Sequence, residues 1–260
     1  MKEFPPALGR LADAQPYPLL FVTVGGTHLY GFPARDSIHE LRGVHVLPLR
    51  EVVGLTVSHE TIEVARAEEG PAVELVTHDV RKFFSLLLKR NSYALEQLFS
   101  PLVLRATPEL EEMRAIGRGC ITRHHAQHYL GLAHTQWGMF AQERPRRAKT
   151  LLYVYRMLLT GIHLMRTGQV EANLPALNKM FQLPYIDELV ERKLAGGEKG
   201  RLEDDHVSFH ELEFARLTVE LEQASRTSNL PEEPTSRLAL NDLLVRLRLH
   251  PHPREGARGG

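Results

Sequence analysis

Cysteine is almost missing. Cys120 is the single cysteine in 260 residues, which excludes an internal disulfide framework and any cysteine-rich zinc site. Its expected state is a buried, inert thiol in a reducing compartment. Net charge is missing as well, since 32 Lys and Arg stand against 32 Asp and Glu. Nothing global therefore advertises nucleic acid, and only a local basic patch would serve one. Long apolar runs are missing too: the most apolar helical stretch, Leu151 to Met165, carries Arg156 and His163 inside it. The opening MKEFPPALGRLADAQPYP lacks the apolar segment of a signal peptide. The expectation is a soluble, cytoplasmic protein with no membrane partner. Apolar residues at 43% and charged residues at 25% are ordinary for a globular chain, with material for one large domain or two modest ones.

Two kinds of periodicity divide the chain. Leu19 to Val24 (LLFVTV) reads as a buried strand running into Gly25-Gly26, and Ile38 to Leu47 reads as a second strand. Glu51 to Leu55 and Glu60 to Ala67 offer turn and strand material, and Ala72 to Thr77 is a further strand. From Asp79 to Leu98 the apolar residues take a helical period, which Asn91-Ser92 is placed to interrupt. Thr107-Pro108-Glu109 starts a run of helices, with patterns through Met139, from Arg147 to Thr167, Pro184 to Ala195, Ser208 to Ala224 and Ser236 to Leu249. The expected organisation is α+β over 1–105, helical over 106–249, and a flexible tail over 250–260.

The chemistry gathers in Gly25-Gly26-Thr27-His28-Leu29-Tyr30-Gly31 and the following Asp36-Ser37-Ile38-His39-Glu40-Leu41-Arg42-Gly43. A strand, a tight glycine turn and a helical turn present backbone N–H groups and a hydroxyl to phosphates. The next strand projects alternate side chains, 38 and 40, to one face. Carboxylates at such positions hold Mg²⁺ ions that activate a hydroxyl and stabilise a pyrophosphate leaving group.

These residues resemble the minimal nucleotidyltransferases of the DNA polymerase β superfamily. One subfamily pattern, G-S-x-x-Y-G followed by S-D-x-D-x-R-G-V, is met here by G-T-H-L-Y-G and S-I-H-E-L-R-G-V. The resemblance covers about residues 20–195 and implies a mixed sheet with flanking helices followed by an all-helical domain. It places Glu74 where the family has its third carboxylate, and Glu40 at the second of the paired aspartates. The first is Ile38, which can ligate nothing. Implied roles are phosphate binding for Gly26, Thr27 and Arg42, and catalytic and metal roles for Glu40 and Glu74 with Mg²⁺ or Mn²⁺ at a weakened site. Lys149, Tyr153 and Arg156 share one helical face, where a basic helix of related enzymes approaches the triphosphate.

Two functions follow from the resemblance. One is transfer of a nucleoside monophosphate from a nucleoside triphosphate to an acceptor hydroxyl on RNA, protein or a small molecule. The other is a catalytically degenerate nucleotide-binding or regulatory protein, for which Ile38 speaks. Individual residues keep plainer alternatives: Thr27 as a helix cap, Glu40 and Glu74 as solvated strand residues, Arg42 in a salt bridge to Glu40 or Asp36, and Lys149 and Arg156 facing water. His124 and His128 lie one turn apart, a spacing zinc accepts, but no acid completes the set and a polar helix face is the expected reading.

Overall fold

The first β-branched run, Leu19–Val24, forms strand β1 of a five-stranded sheet. The computed structural model describes residues 4–35, 37–56, 58–66, 72–196, 202 and 206–250. Asp36, most of the glycine-rich stretch at 196–206, and the tail beyond residue 250 lie outside the described residues. With β2 (His39–His45), β3 (Thr61–Arg66), β4 (Val73–Asp79) and β5 (Val103–Ala106), the sheet has the order β3-β4-β2-β1-β5. Strands β2 and β4 run parallel and the remaining neighbours antiparallel, so the sheet is mixed. This is the expected fold class, a mixed-sheet nucleotidyltransferase-like core followed by an all-helical region.

Contacts divide the chain into two compact units. The first comprises 1–26, 38–120 and 234–260; the second comprises 27–37 and 121–233. In the first unit, side-chain alternation gives the sheet two faces. Val22, Val24, Leu41 and Leu75 pack against Leu8, Leu11 and Ala12 of helix α1 (Pro6–Asp13). Further along the sheet, α4 (Val80–Leu88) brings Phe83 edge-on to Phe21 at 5.7 Å. Asn91 separates α4 from α5 (Ser92–Phe99), accepting a hydrogen bond from the Ala94 N–H at 3.0 Å as a cap. Helix α6 (Glu109–Gly117) starts just after Pro108.

Helix α12 (Arg237–Leu249) closes the first unit. Arg248 donates to Asp79 Oδ1 and to the Leu47 carbonyl, each at 2.6 Å. Asp79 caps α4 through Arg81 N–H at 3.0 Å and accepts from Leu47 N–H at 3.1 Å. Both side chains of this ion pair are almost fully buried. The stretch at Glu51 to Leu55 departs from its sequence reading: 49–53 is a short helix, α3 (Leu49–Val53).

The second unit is helical among the described residues. Its centre is α8 (Ala148–Thr167), buried along most of its length against α7 (His125–Gln142), α9 (Leu174–Phe181), α10 (Pro184–Ala195) and α11 (Val207–Arg226). No helix among the described residues is long and apolar enough to cross a membrane. Cys120 is buried as expected, and burial pushes its thiol up to about 11.

Candidate functional site

Strand β1 ends at Val24, and the N–H of the next residue, Gly25, donates to the Glu40 carbonyl at 2.7 Å. Gly26 then takes φ +56 and opens helix α2 (Gly26–Tyr30). Only glycine fits here for two reasons: the backbone is left-handed, and a Cβ would collide with the Glu40 carboxylate. The glycine turn and the strand carboxylate are thus folded directly onto each other. Thr27 is 5% exposed, and its carbonyl accepts from both Gly31 and Phe32 N–H at 3.1 Å, which tightens the turn.

Parallel register sets Glu40 opposite Glu74, on the sheet face away from Leu41, Leu75 and α1. Arg42, two residues along the same strand face, spans both acids. Its Nη2 meets Glu40 Oε2 at 3.1 Å, and its Nη1 meets Glu74 Oε1 at 2.9 Å. One fixed cation therefore already stands between the two carboxylates to which the resemblance gives a metal role. Ile38 lies ahead of β2, 43% exposed, and brings no ligand. Among the described residues no group of three or more His, Cys, Asp or Glu could hold a metal ion. The donor set does not fit a two-cation centre, which needs several oxygens converging on each ion.

The neighbouring imidazoles add no charge near neutral pH. Burial lowers the pKa of His39. His78 is pushed down to about 4, first by burial and then by Lys82 and Arg42. Arg42 is thus the cationic group that meets the acid pair directly.

The three helical candidates separate by burial. Lys149 is exposed, Tyr153 is half-buried and Arg156 is fully buried. The Arg156 guanidinium lies 3.9 Å from the Tyr30 ring centroid, a cation–π contact. Tyr153 packs edge-on against Tyr30 at 5.6 Å and Phe32 at 5.8 Å. These residues therefore bind segment 27–37 into the helical unit. Sequence reasoning missed two further holders of that segment. Asn173, the α9 cap, donates to the Leu29 carbonyl at 3.4 Å, and Lys193 donates to the Phe32 carbonyl at 2.5 Å. An Asn followed by Leu-Pro is a legible cap signal; nothing in the sequence marks its second contact.

His124 stands at the start of α7, and His125 beside it is fully buried, its Nδ1 within 3.2 Å of the Thr122 N–H.

Comparison with known proteins decides the lineage. Residues 3–246 match the model of RlaP, the RNA repair pathway DNA polymerase beta family. The chain belongs to that family. Membership in RlaP agrees with the mixed sheet, the glycine turn and the helical C-terminal region described above. An uncharacterized protein of Methanocaldococcus jannaschii is 24% identical over 218 residues, spanning 83% of this chain and 88% of its own. A nucleotidyltransferase-like protein of known structure from Exiguobacterium sibiricum aligns over 95% of this chain and 80% of its own, at 13% identity and a TM-score of 0.32. That score is too low to bear on the fold.

Proposed function

We propose that this RlaP-family protein is a nucleotide-binding relative of the nucleotidyltransferases, with the metal-dependent transfer centre replaced by a fixed internal cation. The observation that carries the reading is Arg42 spanning Glu40 and Glu74, the two acids otherwise available for metal. Ile38 supports it, because the remaining aspartate position has no ligand to offer. In this reading Gly26 and Thr27 present backbone N–H groups to phosphate oxygens, and Arg42 supplies the nearest positive charge. Arg156 and Tyr153, within the helical unit, order the segment that follows the turn. The role fitting these parts is that of a sensor or regulatory partner that responds to a bound nucleotide.

One observation favours a second reading, transfer of a nucleoside monophosphate to an acceptor hydroxyl on RNA, protein or a small molecule. Glu40 and Glu74 remain side by side in register, as a transfer enzyme requires of its acids. A single experiment separates the two. Each nucleoside triphosphate is titrated calorimetrically against the full chain in EDTA, beside an assay with α-labelled triphosphate, Mg²⁺ or Mn²⁺ and a mixed RNA pool. The binding reading expects metal-independent association, weakened in Arg42→Ala, and no labelled product. Label transfer by the parent that Glu74→Ala abolishes overturns it and establishes the enzyme.

A further inference from the structure

The helical unit contains a second candidate site that shares no residue with the glycine turn. A half-open cavity of about 450 Å³ lies between α10 and α11, and its lining includes Tyr185, Glu188, Arg192, Phe209 and His210. Its aromatic walls form a corner. Tyr185 and Phe209 meet edge-to-face at 5.3 Å between centroids with 79° between planes, and Phe209 meets His210 in the same way at 5.1 Å and 70°. Tyr185 is fixed from behind by Tyr155 at 5.1 Å and by a 2.6 Å hydrogen bond from its hydroxyl to Glu213 Oε2. Phe209 is left 47% exposed, which forgoes much of the free energy its burial would contribute.

Polar atoms are placed around this corner. His210 is 5% exposed, and its Nδ1 is paired with the Tyr155 hydroxyl at 2.8 Å. Its Nε2 has no hydrogen-bond partner among the described residues, and the residue lines the cavity. Burial, and then the neighbouring His206, pushes its pKa down to about 4, so the ring is neutral near pH 7. On α10, Glu188 Oε1 accepts from both Arg192 Nε at 3.0 Å and Nη2 at 2.8 Å. That geometry leaves Glu188 Oε2 as an acceptor and Arg192 Nη1 as a donor, neither with a protein partner among the described residues. A flat aromatic wall beside an adjacent donor and acceptor is the complement of a nucleobase face and edge.

We propose that this cavity binds an unpaired nucleobase, stacked on Phe209 and read at its edge by Glu188 and Arg192. Guanine matches best: its O6 accepts from Arg192, and its N1–H and amino group donate to Glu188. The base comes either from a free nucleoside or from a single-stranded RNA.

The test uses the full chain in EDTA, titrated calorimetrically with guanosine and with a short uridine strand carrying one guanine. Phe209→Ala should weaken binding about tenfold or more, the loss of one base–aromatic stack, and Phe209→Trp should restore it. Both replacements sit at a half-exposed position, and thermal melting checks that the fold is retained. Equal affinity for nucleoside and strand assigns the site to free nucleosides. Tighter, salt-sensitive binding of the strand assigns it to RNA. The proposal is overturned if neither probe binds, or if binding is indifferent to both Phe209→Ala and Arg192→Ala. Binding that survives Phe209→Ala but is lost in Arg42→Ala would place the base at the glycine turn, overturning this proposal while leaving the reading of that turn intact.

Discussion

Removing the Arg42 guanidinium takes the Glu40–Arg42–Glu74 group from one net negative charge to two, with both carboxylates left in register on one sheet face. A divalent ion arriving there would no longer meet a fixed positive charge about 4 Å away, a typical ion-pair spacing. The relief is about 2 kcal/mol in a water-like dielectric, because a two-to-one charge product doubles the ~1 kcal/mol of two unit charges at that distance. The water-like value suits side chains that are 27% to 41% exposed. Arg42→Ala is therefore expected to bind Mn²⁺ roughly thirtyfold more tightly than the parent. Manganese electron paramagnetic resonance reads this directly, because the bound ion loses the six-line signal of the free one. Adding Glu74→Ala should cancel the gain. Folding stability should hardly move, as part-exposed ion pairs contribute only about 0–1 kcal/mol each. Equal Mn²⁺ affinity in parent and variant would refute the idea that the guanidinium stands where a cation would.

Other consequences are measurable. Arg248→Ala leaves Asp79 charged and buried without its partner, so urea denaturation should show a loss of about 3–5 kcal/mol. A loss below about 1 kcal/mol would contradict a stabilising role for the buried Arg248–Asp79 pair. His45, His78 and His210 each have a pKa pushed down to about 4, chiefly by burial, so the folded state holds them neutral where the unfolded chain takes up protons. Their contribution is intact above the unfolded value near 6.5 and is lost as pH falls toward 4, by at most about 1.4 kcal/mol per pH unit for each. A urea midpoint that stays flat between pH 7 and pH 5 would contradict this.

Where the residues act locally, the sequence is readable. LLFVTV followed by two glycines states a buried strand and a tight turn, and Pro184 opening a twelve-residue helix states α10. Glu40 and Arg42 are legible as a pair, since side chains two apart on a strand share a face. What closes the site is not legible. The Arg42–Glu74 bond depends on the parallel register of β2 with β4, and no local pattern encodes a register that pairs residues 34 apart, Glu40 with Glu74. Arg156 misleads for the opposite reason: a charged residue on a helix is expected in water, and the Tyr30 ring that receives it is 126 positions away. Short elements escape as well. VLRA of β5 is a four-residue strand, and LREVV of α3 is too short to show a helical period against its β-branched content. The aromatic corner at Tyr185 and Phe209 leaves no motif, because its walls come from two helices.

The path of the chain has a consequence for inheritance. Each compact unit is assembled from separated stretches of sequence, since residues 27–37 belong with 121–233 and residues 234–250 return to the first unit. No single cut in the gene yields either unit whole. A fragment ending at residue 120 would lack Arg248 and leave Asp79 unanswered; one beginning at 121 would lack Tyr30 and leave Arg156 without its ring. Fusion and shuffling, which move continuous pieces, cannot lend this sheet or this bundle to another protein. The two units are therefore inherited as one length, and a truncation that splits either of them takes a partner from Asp79 or from Arg156.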